Sequence, residues 1–311
     1  MGKVIAIAAE KGGVGKTTIA VNLATILASP VEAGGKGKKV LLIDTDEQCN
    51  ACMNLGLSFK DLFELDQDNN ARNCGRMILD NSTDMREITL KDVVPEIPNL
   101  YLIPSSFRLM YAERALTDYS HKWVDENDEI HAAIYEEALS LRKTFANNKE
   151  FLDFFDYIII DSRPSVSQIN ECMLAVANSL IVVTEPSYDS LFGIETLFGF
   201  WDKVMGKIGL EVDYAESVVL NKFNKDSSVH KQILAILTGD HSNDRVPDYA
   251  WEIFGEYKNL FINVPIKESQ WVLRRSADAV PIIINPNKNE REYIRTTFMP
   301  LVEELYKEGI L

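Results

Sequence analysis

The segment Glu10-Lys11-Gly12-Gly13-Val14-Gly15-Lys16-Thr17-Thr18 gathers three glycines, two lysines and two threonines into nine positions. Those residue types suit one task, holding a polyphosphate. Triphosphate oxygens need convergent backbone N–H donors, and glycine lets the chain curl close to them without a Cβ in the way. A helix that begins there adds unpaired N–H groups and positive potential. Lys16 places a point charge on the β- and γ-phosphates, and the Thr17 hydroxyl is a ligand for Mg²⁺. Gly12, Gly13, Val14, Gly15, Lys16, Thr17 and Thr18 are therefore the candidate nucleotide-binding residues. The bland alternative is an ordinary glycine-rich turn between a strand and a helix.

Two further stretches end in carboxylates: Leu41-Leu42-Ile43-Asp44-Thr45-Asp46, and Asp156-Tyr157-Ile158-Ile159-Ile160-Asp161. Acids at the carboxyl end of a parallel strand face the crevice where ligands bind. In the second stretch, four apolar residues before an Asp form a Walker B arrangement, in which Asp161 holds a water of the Mg²⁺. Asp46 could instead cap the next helix.

These residues require a particular frame. Short apolar runs at Val4–Ala8, Val40–Ile43, Leu100–Ile103, Tyr157–Ile160, Leu180–Val183 and Val218–Leu220 read as buried parallel strands, with a weaker one at Leu260–Ile262. Helical patterns alternate with them. Ile19, Leu23, Ile26 and Leu27 share one helical face, and Pro30 ends that pattern. The expected fold is a three-layer α/β/α P-loop NTPase with a mostly parallel central sheet. One domain spans 1–311, with a less regular, partly helical insertion at about 57–150 that includes a helix over Glu129–Phe145. The C-terminal stretch from Glu290 reads as a helix burying Tyr293, Leu301, Val302 and Leu305, interrupted at Pro300.

The phosphate segment departs from the strict G-x-x-x-x-G-K-[ST] pattern, because Glu10 stands at the first glycine. What stands here, K-G-G-x-G-K-T-T, resembles the deviant Walker A motif of the ParA/MinD family, closest to its ParA/Soj-type DNA-partitioning members. The resemblance implies that Lys11 reaches across an ATP-sandwiched homodimer to the partner's phosphates, a charge supplied in trans. Asp44-Thr45-Asp46-Glu47-Gln48-Cys49-Asn50 resembles the family's D-x-D-P-Q-x-N motif. By that resemblance Asp46 orients the attacking water, and Asp44 sits near Mg²⁺ or its waters. Here Glu47 replaces the usual Pro and Cys49 the usual Gly, which loosens the loop and disfavours a positive φ. Arg163 stands where the family commonly has a second Pro. It reads as a surface residue, or else as one that meets a phosphate or the partner. Glu185-Pro186-Ser187 and the following stretch with Gly193 resemble the dimer-facing element. The resemblance places Asn221 on the adenine and the loop at Pro265 beside the base.

The implied cofactors are ATP/ADP and Mg²⁺, and the implied activity is ATP hydrolysis. The expected partners are a second copy, a ParB-like DNA-binding adaptor and nonspecific DNA. Lys222, Lys225, Lys231, Lys267, Arg274 and Arg275 could form the basic surface for DNA, or simply a solvated face. A formal net charge of −15 argues against DNA unless such residues gather on one side. Two other readings remain. One is a ParA-like ATPase positioning a non-DNA protein cargo. The other is a MinD-like membrane switch, which the glutamates of the tail at 301–311 oppose. Four cysteines are too few for a disulfide scaffold in a chain this long. Neither a spanning apolar run nor a signal peptide is evident, so a cytoplasmic setting is expected, nucleoid-associated if the chain binds DNA. The pair Cys49-x-x-Cys52 and the scattered histidines give no metal or redox pattern.

Overall fold

A computed structural model of the chain describes residues 2–67, 71–121, 141–164, 167–207 and 215–311. Six strands, β1 (Lys3–Ala8), β2 (Val40–Asp44), β3 (Leu100–Ile103), β4 (Tyr157–Asp161), β5 (Ser179–Thr184) and β6 (Ala215–Leu220), form one sheet in the order β3-β2-β4-β1-β5-β6. Every pairing between them is parallel. Each of the six strong apolar runs is a strand.

Side chains alternate between the two faces of the sheet. Val4, Ala6, Leu41, Ile43, Ile158, Ile160, Leu180 and Val182 enter one core. Ile5, Ile7, Val40, Leu42, Ile159, Ile181 and Val183 enter the other. Both faces are apolar because both are covered by helices, as an all-parallel sheet requires. The first core is closed by α4 (Cys74–Leu79), α5 (Met85–Ile88), α6 (Leu109–His121), the helical residues 141–147 (α7), α8 (Lys149–Leu152), α9 (Gln168–Leu174), α10 (Tyr188–Lys207), α11 (Ser228–Thr238) and α12 (Asp248–Phe254). The second is closed by α1 (Lys16–Ala28), α2 (Asn50–Asn54), α3 (Phe59–Leu65), α13 (Gln270–Ala277), α14 (Lys288–Tyr293) and α15 (Met299–Lys307).

Three local expectations change. Helix α1 is buried all round rather than on one face, with only Thr17 and Thr18 half-exposed near its start. It lies between the sheet and the C-terminal helices, so its second face is covered too. Leu260–Ile262 is not a full strand: Phe261 makes an isolated bridge to Val218 at the free side of β6. Leu260 accepts from Val218 N at 2.7 Å, and Ile262 N donates to the Val218 carbonyl at 2.9 Å. At the other border Leu90 exchanges hydrogen bonds of 2.8 and 3.1 Å with Leu102 of β3. Third, Pro300 does not break the C-terminal helix. Proline lacks an N–H and its ring crowds the carbonyl four residues back. A π turn over Ile294–Phe298 widens the backbone just before it, and the helix continues as α15 with Leu301, Val302 and Leu305 buried.

The stretch at 57–150 supplies edge strand β3 and packs on both faces of the sheet, through Leu62 on one side and Met77, Ile88 and Leu116 on the other. Of the helix expected over 129–145, residues 129–140 lie outside the described ones, and 141–145 are helical. Among the described residues no helix is long and apolar enough to cross a membrane.

Candidate functional site

All six strands run the same way, so the loops after β1, β2 and β4 open at one end of the sheet. The phosphate loop leaves β1 at Ala8 and enters α1 at Lys16. Gly15 is the N-cap residue at φ 94°, and Gly13 has φ 79°. At Gly15 a Cβ would lie 2.1 Å from Asn221 Nδ2, so a side chain there would have to push that amide aside, in a left-handed backbone that favours glycine. Asn221 ends β6 and donates Nδ2 to the Val14 carbonyl at 2.8 Å. The loop is therefore braced from beneath.

Above the loop lies a cavity of about 360 Å³. Its floor is Gly12, Gly13, Gly15, Lys16, Thr17 and Thr18, with Lys11 at one side. Asp46, Gln48 and Asn50 line it from the β2 loop, Pro164 from the β4 loop, and Asn54 and Ser276 from α2 and α13. Ser276 Oγ donates to Asn54 Oδ1 at 2.6 Å, which ties those two helices together.

The charges beneath are unusual in their burial. Lys16 Nζ lies 2.5 Å from Asp161 Oδ1, and the two side chains are 6% and 0% exposed. Burial raises the pKa of Asp161, and the Lys16 ammonium and the Thr17 hydroxyl hold it back. Asp44 pairs in register with Asp161 across β2 and β4. Burial first, then the Asp161 charge, push its carboxyl up to about 7. Asp161 Oδ2 is buried and has no hydrogen-bond partner. An unsatisfied buried carboxylate oxygen beside the Thr17 hydroxyl suits a hydrated divalent cation, so these residues fit Mg²⁺ on chemistry. The glycine-lined floor fits a polyphosphate on space.

The structure thus brings Lys11, Gly12, Gly13, Gly15, Lys16, Thr17, Thr18 and Asp46 around one cavity, with Asp161 directly below. Four expected residues lie elsewhere. Val14 turns inward, 3% exposed, and contributes its carbonyl to Asn221. Asp44 does not line the cavity. Its Oδ1 accepts from Asp46 N at 3.1 Å, and its Oδ2 accepts from Cys52 N at 3.1 Å and Cys52 Sγ at 3.2 Å. Its carboxylate is turned into the turn leading to α2, so this geometry does not support a place beside the metal. Asn221 sits under the phosphate loop with its amide engaged there. Pro265 is half-buried beyond β6, in the strip where Ile266 N donates to the Leu220 carbonyl at 2.8 Å.

Gln48, Asn50, Asn54, Pro164 and Ser276 line the cavity without being among the residues expected there. Gln48 and Asn50 were legible in the D-x-D-P-Q-x-N pattern, whereas Ser276 reaches the site only through tertiary packing. Arg163 is neither a free surface residue nor directed at the cavity. Its guanidinium lies 3.0 Å from Glu47 Oε1 and 3.5 Å from Glu113 Oε2, with its side chain 19% exposed. Cys49 adopts φ 52°, ψ 30°, the left-handed conformation that its type disfavours. The basic residues expected to meet DNA are partly spent. Lys222 pairs with Glu185 at 3.6 Å, Arg274 with Asp278 at 3.9 Å, and Arg275 with the 4% exposed Glu290 at 2.6 Å.

Comparison with known proteins bears on this site. Residues 2–213 match a family model described as an AAA domain. An uncharacterized protein of Methanocaldococcus jannaschii is 29% identical over 93% of this chain and 88% of its own. The chromosome partitioning protein ParA of Myxococcus xanthus is 30% identical over 77% of this chain and 71% of its own. The sporulation initiation inhibitor protein Soj of Bacillus subtilis is 30% identical over 75% and 78%. Among solved structures, apo McdA of Cyanothece superposes with a TM-score of 0.68 at 20% identity, covering 98% of this chain and 100% of that one. A putative plasmid partition protein of Borrelia burgdorferi, bound to AMPPNP, gives 0.62 at 23% identity over 99% and 100%. MinD of Aquifex aeolicus gives 0.57 at 18% identity over 98% and 97%. The structural likenesses speak for the fold. The matched family model and the two relatives at 30% identity speak for descent.

Proposed function

We propose, from the premise that this chain belongs to the ParA/MinD family of P-loop ATPases, that it is an ATP-dependent dimerising switch for DNA partitioning. In this reading it acts in the cytoplasm, on nonspecific DNA, with a DNA-bound ParB-like adaptor as trigger. The family's reaction is hydrolysis of ATP to ADP and phosphate with Mg²⁺. The observation that best supports the switch is the position of Lys11. It lines the cavity mouth beside Gly12 and Gly13, and among the described residues it has no ion-pair partner. In this reading that cation serves phosphates in a second copy.

The residues divide the work. The N–H groups of the phosphate loop and Lys16 bind the phosphates, at which point the Lys16 ammonium divides its charge between them and Asp161. Mg²⁺, when bound, supplies Lewis-acid charge to the phosphates. Thr17, through its hydroxyl, and Asp161, through its unpartnered Oδ2, are the residues that would hold that ion. Asp46 faces the cavity and orients the attacking water. Its Oδ1 is fixed by Gln48 N at 3.0 Å, which leaves the other oxygen for that task.

A second reading, positioning of a non-DNA protein cargo, is favoured by charge. Half of the six basic residues named for DNA are engaged in ion pairs, in a chain of net charge −15. Lys225, Lys231 and Lys267 remain exposed. The membrane alternative is disfavoured, because the apolar face of α15 is already packed into the core.

The test is DNA binding with and without ATP from about 50 to 200 mM salt, alongside Lys11→Ala. Partitioning on DNA requires binding that needs ATP, weakens steeply with salt and is lost in Lys11→Ala, which still binds nucleotide. ATP-dependent dimers that ignore DNA would overturn the DNA reading and leave the cargo reading. A Lys11→Ala protein that dimerises normally with ATP would remove the switch itself.

A further inference from the structure

Glu47 and Arg163, two positions where this chain departs from a proline of the family pattern, meet each other in space. Glu47 follows Asp46 in the β2 loop, and Arg163 follows Asp161 by two residues in the β4 loop. Their side chains form an ion pair at 3.0 Å across the end of the sheet. Each is next to a residue that lines the cavity, Asp46 and Pro164 respectively. The pair is held from the Arg163 end. The Arg163 carbonyl accepts from Asn170 Nδ2 at 2.9 Å, and its second guanidinium nitrogen faces Glu113 of α6. Glu113 in turn accepts from the N–H groups of Gln168 and Ile169, at 2.9 and 3.2 Å, at the start of α9.

The β2 loop needs such a restraint. It lacks the proline that would fix its φ. Its Cys49 sits in a left-handed conformation that a residue with a Cβ disfavours. Left to itself, the loop would relax and carry Asp46 with it. A planar guanidinium hydrogen-bonded to Glu47 at 3.0 Å, with the Glu113 carboxylate 3.5 Å from its other nitrogen as a looser ion pair, supplies the missing stiffness.

We propose that Arg163 is a positioning residue for ATP hydrolysis: through Glu47 it holds the Asp46 loop in register with the β4 loop, and through Glu113 it ties both to α6 and α9. This rests on the reading of Asp46 as the water-orienting residue. The latch acts on the rate of the chemical step, since neither Glu47 nor Arg163 lines the floor that binds the phosphates. It also makes α6 and α9 a route by which a partner touching the outside of the molecule would alter turnover.

The test is a double-mutant cycle on single-turnover hydrolysis and on ATP affinity, using Glu47→Gln and Arg163→Gln, with Arg163→Lys and Asp46→Ala as controls. Each single Gln variant is expected to lose roughly tenfold or more in rate, because small misplacements of an orienting group are costly, while ATP affinity stays within about twofold. The double variant is expected to be no slower than the slower single, and Arg163→Lys to recover part of the rate. Additive losses, unchanged rates in the single variants, or a loss of ATP affinity equal to the loss of rate would each overturn the latch. Unfolding midpoints measured on the same proteins assign any global destabilisation. If Asp46→Ala hydrolyses ATP normally, the reading of Asp46 fails; if it is inactive while Arg163→Gln is normal, only the latch fails.

Discussion

Replacing Lys16 by Met should do more than remove a phosphate ligand; it should destabilise the fold in a pH-dependent way. Lys16 and Asp161 are both buried and lie 2.5 Å apart, and Asp161 is fully buried with Asp44 across the neighbouring strand. Removing the ammonium leaves a buried carboxylate without its counter-charge, which costs about 3–5 kcal/mol. The cheapest response is protonation. In the variant the Asp161 pKa lies far above the unfolded value of about 3.9, so folding takes up a proton. The folded state is then least penalised near or below that unfolded value, and loses about 1.4 kcal/mol per pH unit as pH rises towards the raised pKa. Urea unfolding followed by circular dichroism at about pH 5.5 and about pH 8 measures both parts. The expected gap from the parent is about 3–5 kcal/mol at the higher pH and clearly smaller at the lower. Adding Asp161→Asn should recover most of it. A gap below about 1 kcal/mol at the higher pH, or one that does not change with pH, would refute the claim that Lys16 holds up the core as well as the ligand.

Two other outcomes follow from the same geometry. Gly15→Ala should weaken nucleotide binding, measured by calorimetry, and destabilise the fold by about 1–3 kcal/mol, because φ 94° is strained for a residue with a Cβ and that Cβ would displace the Asn221 amide that braces the loop. Asp44, pushed up to about 7 by burial and by Asp161, takes up a proton on folding, so its favourable contribution is complete below about pH 4 and lost as pH rises through about 7. The difference in urea stability between the parent and Asp44→Asn should therefore move in the variant's favour from about pH 5 to about pH 8. A difference constant with pH would mean that Asp44 stays ionised.

Much of this molecule could be read from local pattern. Ile158–Ile160 and Leu41–Ile43 are apolar without interruption because both sheet faces are covered, and that signal is local. The phosphate loop is equally local, since glycine spacing and the following helix lie in one continuous segment. What the pattern did not contain was pairing between distant residues. Nothing near Glu47 announces Arg163, and nothing near Arg275 announces Glu290, so one reads as a defect in a motif and the other as a basic surface. Asp44 shows the limit of motif transfer. Its place in the pattern is right, yet Cys52, eight residues on, supplies the N–H and thiol that turn its carboxylate away. Leu260–Ile262 was apolar enough for a strand, but only Phe261 bridges to β6, at the sheet's free side.

Both borders of the sheet carry a guard. Leu90 occupies hydrogen-bonding positions on β3, and the 260–266 strip occupies those on β6. An open parallel sheet would otherwise offer two rows of unsatisfied peptide groups as templates for a neighbour's strand, the usual start of runaway polymerisation. With those rows engaged at Leu102, Val218 and Leu220, two copies have little to gain by joining strand to strand. On the proposed ATP-dependent switch, contact between copies would fall instead at the loop end, where side chains and bound phosphates would make bonds that hydrolysis can undo. If the chain assembles and comes apart on each cycle, as proposed, it is served by having those borders shut.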